Sequence, residues 1–408
     1  MRVLGLNRRS LGLAVAVDGL RPRLGQRQHC SSSCIIDSSC RSKSHTAILL
    51  FLCFLMVFFN IYVGVSLGGS SSSSSSSSFN QMINTVFGLA YNNVASGGNK
   101  QINVSNLKYT NEHILQVLNT AKIASVSEDI AKQLPSWEDI TSMYGDKPVI
   151  HGLDTCEHYR NMVKPEDRTI GPAGLFNTGT NLIWTLMETN CNIDGKILWQ
   201  APWGKHAIAS SRLKRVAWSG GGINQTEFFP FVMIKDPFSW MNSQCRHDYG
   251  ATFWYSDYDE EHCPNLIRGN VPDGNETAPV RLFKYGTKHD SLLDVWNYYY
   301  GEWEAERTKF PHLVIRYEDL LFHGREVSKI ACECVGGNIT TDFQYEAESA
   351  KGSEDAHKGA NGFVKALLQY GDPAVRVAGF TDRDMWYARR NNATTELMKE
   401  YVYSDPVL

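Results

Sequence analysis

The stretch GPAGLFNTGTNLIWTLMETN, Gly171–Asn190, decides how this chain is read. A short apolar segment, GLF, runs into a turn of small residues, NTGTN. Leu182, Ile183, Trp184, Leu186 and Met187 follow at helical spacing. The pattern is strand, tight loop, helix. Gly174 and Gly179 have the spacing of a nucleoside-triphosphate loop, but Thr180-Asn181 stand where such a loop carries Lys and a hydroxyl for magnesium. An ATPase loop is therefore excluded. What remains is a nest of backbone N–H groups at a helix N-terminus, with Thr178 and Thr180 beside it, suited to a phosphate-like anion without a metal. A helix capped inside an ordinary α/β domain would read the same way.

A second stretch of the same design is FFPFVMIKDPFSWMNSQCRHDYG, residues 228–250. Phe231–Ile234 suits a buried parallel strand, Lys235-Asp236-Pro237 ends it, and a helix begins near Ser239. Lys235 sits where strand meets loop, and Ser243 lies eight residues on. Ligands of open α/β sheets bind at the carboxyl ends of strands, so this cation and hydroxyl are placed to grip one phosphate. Strands expected near 173–176, 196–199, 230–234 and 312–317 give a parallel sheet with helices on both faces.

Together these segments resemble the sulfotransferase superfamily, whose members use 3'-phosphoadenosine 5'-phosphosulfate (PAPS). NTGTN, Asn177–Asn181, is similar to the family's first loop. KDPFSWMNS, Lys235–Ser243, is similar to its Arg-Asn/Asp-Pro…Ser motif, with Lys for Arg, and LVIRYEDLL at 313–321 to a late strand and acidic turn. The resemblance covers residues 170–330. It implies a P-loop-like fold and PAPS as co-substrate, with no metal. Asn177, Thr178, Gly179, Thr180 and Asn181 would hold the 5'-phosphosulfate, and Lys235 and Ser243 the 3'-phosphate. Asn177 departs from the pattern, because most members carry Lys or Arg there. Lys205 and His206, in LWQAPWGKHAI, are the candidates to compensate. A neutral imidazole near pH 7 suits removal of the acceptor's proton, and a lysine suits charge growing on the leaving oxygen.

Several other features read as structural. Tyr317-Glu318-Asp319 is fold support, Arg389-Arg390 a solvated basic turn, and Trp296–Trp303 a core helix face. Two rival functions stay open. Asp257-Tyr258-Asp259 and Asp382-Arg383-Asp384 both fit the D-x-D of metal-dependent glycosyltransferases, although neither follows an apolar strand. A non-catalytic relative that binds nucleotide or glycan would explain Asn177.

The chain around this domain points to the secretory pathway. Thr46–Leu67 is an uncharged run long enough to cross a bilayer. Before it, eight Lys and Arg oppose only Asp18 and Asp37, and after it the first basic residue is Lys100. The positive-inside rule puts the N-terminus in the cytosol and the bulk of the chain in the lumen, as in a Golgi type II membrane protein. The expected layout is a basic tail (1–45), a signal anchor (46–67), a tether with nine serines and a stem (68–150), and one luminal domain (151–408). Sequons at Asn103, Asn224, Asn275, Asn338 and Asn392 all follow the anchor, as in a glycoprotein, and the resemblance implies a glycan as acceptor, because Golgi-anchored members of the superfamily mostly act on carbohydrates. A net charge of -3 excludes a generic nucleic-acid binder. Cys156, Cys191, Cys245, Cys263, Cys332 and Cys334 form an even set suited to disulfides. Cys332 and Cys334 are too close to bond each other easily and should take separate partners. No C-x-x-C or H-x-x-x-H pair supports a zinc site.

Overall fold

Five strands lie side by side at the centre of the computed structural model. It describes residues 100–107, 111–214, 223–246, 250–253, 264–268, 276–282, 286–347 and 362–406. The strands are β1 (Ile150–His151), β2 (Thr169–Gly174), β3 (Lys196–Ile197), β4 (Phe228–Ile234) and β5 (Leu313–Arg316). Their spatial order is β1-β5-β4-β2-β3. β2 to β5 run parallel, and β1 adds antiparallel to the β5 edge. The helices that matter here are α1 (Thr180–Asn190), α2 (Pro237–Arg246), α3 (Leu292–Ala305), α4 (Gly324–Cys334) and α5 (Gly362–Tyr370). The protein is thus mixed α/β, a mostly parallel sheet flanked by helices.

Both faces of the sheet are covered, and β4 shows why its sequence is apolar without a break. Phe228, Val232 and Ile234 join one core with Trp296, Tyr299, Tyr300 and Trp303 of α3. Phe229, Phe231 and Met233 join the other with Ile183, Leu186 and Met187 of α1 and Val327 and Ala331 of α4. A strand buried on both sides has no position for a polar residue. Within the aromatic run 296–303, Trp296, Tyr299, Tyr300 and Trp303 form a core face, as expected, while Tyr298 is exposed.

Two expectations change. The first strand lies upstream of its expected place: Thr169–Gly174 pairs with Phe228–Met233, while Leu175 and Phe176 already belong to the turn. Gly171 and Pro172 read locally as a turn, yet close packing requires the glycine. A Cβ at 171 would lie 2.6 Å from the Leu198 carbonyl oxygen. The packed unit also begins before His151. Ile114, Leu118, Val126, Ile140 and Tyr144 are buried in the same core as α3. Residues 111–149 therefore belong to the folded domain rather than to a stem. They form short helices, Glu112–Thr120, Glu128–Gln133 and Trp137–Tyr144, whose turns dilute the helical period.

Cys156–Cys334 and Cys191–Cys332 are disulfides, so the two neighbouring cysteines of α4 do take separate partners, and Cys245 is disulfide-bonded as well. The expected anchor (46–67) and the serine tether lie outside the described residues. Among the described residues, no helix is long and apolar enough to cross a membrane.

Candidate active site

The loop between β2 and α1 is wound by two left-handed residues, Asn177 (φ 60°) and Gly179 (φ 86°). Gly179 is the N-cap of α1 and offers no capping side chain, so no side-chain cap takes the first-turn amides. It also must be glycine, because a Cβ there would lie 2.4 Å from the Tyr317 ring. The Thr178 hydroxyl turns inward and donates to the Leu175 carbonyl at 2.7 Å, so it shapes the turn. Asn177 donates from Nδ2 to the Ser243 carbonyl at 3.3 Å. Asn177 thus ties the first loop to α2.

Lys205 and His206 are both held at this loop through Gly174. Gly174 N–H donates to the Lys205 carbonyl at 2.9 Å. His206 Nδ1 lies 2.7 Å from the Gly174 carbonyl oxygen. That oxygen can only accept, so Nδ1 carries the proton, and in the neutral ring Nε2 holds the lone pair. The ring packs against that of Phe176, tilted by 30° with centroids 4.0 Å apart. Lys205 Nζ donates to Asn181 Oδ1 at 2.7 Å and lies 4.8 Å from the Trp199 ring. Burial lowers the Lys205 amine to about 8. A cation therefore does stand beside the first turn of α1, although not at position 177.

Lys235 and Ser243, eight residues apart in sequence, meet at one atom. Lys235 Nζ donates to Tyr370 Oη at 3.1 Å, and Ser243 Oγ lies 3.4 Å from the same oxygen. Lys235 Nζ also sits over the rings of Tyr317 (4.0 Å) and Tyr370 (4.5 Å). Helix α3 fixes the strand end from behind. Trp296 Nε1 donates to the Lys235 carbonyl at 2.9 Å, and Tyr300 Oη to that of Met233 at 2.9 Å. Tyr299 Oη donates to the Ala207 carbonyl at 3.1 Å, next to His206.

Below this lies a buried ionic layer. Asp236 pairs with Arg376, whose Nε donates at 3.0 Å. Glu318 accepts from Asp236 N–H and from Tyr403 Oη, each at 3.1 Å. Burial, and then the nearby Asp236 charge, raise the Glu318 carboxyl to about 7. Arg316 grips Asp319, which also accepts from Val149 N–H. The Tyr-Glu-Asp turn is thus structural. Sequence reasoning missed Tyr370, Arg376 and Tyr403. The one available hint was Asp236, a carboxylate after a buried strand that needs a cationic partner.

The rival motif fares poorly. Asp384 caps its own helix through Thr381 and accepts from the N–H groups of Leu266 and Ile267, so its oxygens are committed. Asp257-Tyr258-Asp259 lies outside the described residues. Among the described residues, no group of three or more His, Cys, Asp or Glu is placed to hold a metal. Arg389 binds the C-terminal tail at the Pro406 carbonyl, and Arg390 lies over Trp386. Comparison with family models, with curated proteins and with solved structures found no match to this chain.

Proposed function

We propose that the protein is a sulfotransferase that moves a sulfuryl group from PAPS to a hydroxyl group and releases 3'-phosphoadenosine 5'-phosphate (PAP). The observation that carries this reading is a convergence at the carboxyl ends of adjacent strands. The NTGTN loop and the Gly174-bound Lys205-His206 pair adjoin the end of β2, and the Lys235–Ser243 pair adjoins the end of β4. The loop and the N-terminus of α1 would receive the 5'-phosphosulfate, and Lys235 with Ser243 the 3'-phosphate.

In the transfer, the acceptor oxygen forms a bond to sulfur as the bond from sulfur to the 5'-phosphate oxygen breaks. His206 Nε2 takes the acceptor proton. Negative charge grows on the leaving oxygen, where Lys205 and the first-turn amides of α1 oppose it. Lys205 thereby supplies the charge that Asn177 lacks.

The acceptor is a glycan hydroxyl, and the domain is luminal in the Golgi behind a single-pass anchor. The uncharged run at 46–67, its basic N-terminal flank and the five downstream sequons support that placement.

The test uses the full-length chain in detergent with labelled PAPS and panels of glycans and peptides. PAP should protect it against heat more than ATP or UDP-sugars do. Equal protection by a UDP-sugar, or transfer abolished by chelator, overturns the assignment. PAP binding without transfer to any acceptor points to the non-catalytic relative. Protease added to intact microsomes should trim only the first 45 or so residues.

A further inference from the structure

We infer that the Tyr370 hydroxyl occupies the 3'-phosphate position of the donor site, so that phosphate enters only by displacing it. This rests on the assignment of Lys235 and Ser243 to that phosphate. Both side chains are 3% exposed, and what covers them includes Tyr370, itself 8% exposed. Its oxygen stands 3.1 Å from Lys235 Nζ, within hydrogen-bond range, and 3.4 Å from Ser243 Oγ, in the space between the two groups that a bound phosphate would need.

The direction of the hydrogen bonds shows that this arrangement is not one waiting for an anion. Ser243 Oγ donates its proton to the Ser239 carbonyl at 2.9 Å. Toward Tyr370 it therefore offers a lone pair, which the phenol O–H satisfies. The chain of donors runs from Lys235 to Tyr370 to Ser243 to Ser239. A fully ionised phosphate has no proton to give, so Ser243 must leave Ser239 before it can donate to one. Tyr370 satisfies both groups in the absence of an anion, and buried polar groups left unmatched are costly.

The backbone around Tyr370 is pinned, so the ring is the moving part. Tyr144 Oη donates to the Tyr370 carbonyl at 3.0 Å, and Gly371 N–H closes the end of α5 on Leu367 at 2.9 Å. The ring meets Tyr317 edge-on at 5.0 Å. Tyr317 also packs against Gly179 of the first loop, so displacement of Tyr370 is felt in both halves of the site.

Calorimetry on the full-length protein tests this with PAP and with adenosine 5'-phosphate, which lacks the 3'-phosphate. Tyr370→Phe keeps the ring and removes the competing oxygen. PAP should bind about tenfold more tightly to the variant, and adenosine 5'-phosphate equally to both proteins. Unchanged or weaker PAP binding overturns the inference. If neither protein binds PAP, the donor assignment itself has failed, and inorganic phosphate decides. Uptake by Tyr370→Phe, lost again in Tyr370→Phe/Lys235→Ala, retains Tyr370 as the occupant of a phosphate site that is not the donor's, and no uptake overturns the inference. Should the variant not fold, nitration of the unmodified protein replaces it. PAP should increase nitration in the Tyr370 peptide, and equal or reduced nitration overturns the inference.

Discussion

The two halves of the candidate site are built from different materials. At the end of β2, Lys205 is placed by its main-chain carbonyl, which accepts from Gly174 N–H, and His206 by its ring Nδ1 on the Gly174 carbonyl. At the end of β4, Lys235 and Ser243 sit on a continuous buried layer of Asp236, Arg376, Glu318 and Tyr403. A group held by one or two uncharged hydrogen bonds can be replaced at modest cost to the fold. A group inside an ionic layer cannot, because removing one charge strands its partner in a medium that does not solvate it. The first half is therefore suited to chemistry, and the second to holding shape and binding.

The widest separation between the halves should come from His206→Ala. It should lower the transfer rate at saturating PAPS by a factor on the order of 10²–10⁴. PAP affinity, by calorimetry, should stay nearly constant. A normal rate would place the base elsewhere. Arg376→Ala should do the opposite. It leaves Asp236 buried without its cation and should cost about 3–5 kcal/mol in denaturant unfolding. A loss no larger than that of a surface substitution would show that the layer is dispensable.

Lys235→Ala should act between these extremes, weakening PAP by about 1.5–3 kcal/mol with little effect on rate at saturation. The lower end is expected, because the same change also releases Tyr370.

Acid–base behaviour sharpens the contrast with smaller effects. Lys205 has its folded value lowered from 10.5 to about 8, so it is charged below about 8 and neutral above. The transfer rate should fall as pH rises through that value. Lys205→Arg should flatten this alkaline limb, and an unchanged limb would remove Lys205 from the chemistry. The same lowering makes folding stability rise between about 8 and 10.5, where the unfolded chain binds the extra proton. Glu318 is raised from 4.5 to about 7. Its contribution to stability is fully present below 4.5 and is lost as pH rises through about 7. The stability of the native protein relative to Glu318→Gln should decline across that window. A flat difference would mean that Glu318 stays ionised.

Much of this was legible in the sequence, for a physical reason that also marks the limit. Buried strands and the loops that end them are local in sequence, so β4, its Lys-Asp-Pro break and the NTGTN turn could be read directly. The pairing of Cys332 and Cys334 with separate partners followed from chain geometry alone. The start of β2 could not be read, because Gly171 is explained only by the Leu198 carbonyl against it. Tyr370 lies 135 residues from Lys235, and Arg376 140 from Asp236. Asp236 announces only that it needs a cation, not which one, and nothing near Lys235 points to Tyr370. Residues 111–149 looked like a stem because three short helices carry less pattern than one long one.

The disulfides bear on how the chain is made. Cys191–Cys332 closes inside Cys156–Cys334, and both end on the same helix. As the polypeptide is delivered from its N-terminus, Cys156 and Cys191 both emerge well before their native partners Cys334 and Cys332. The first pairing open to them is therefore the wrong one, Cys156 with Cys191. Release of this protein from its site of synthesis should depend on an enzyme that reshuffles disulfides. Trapping with an alkylating agent during a pulse of synthesis should capture that early, non-native bond.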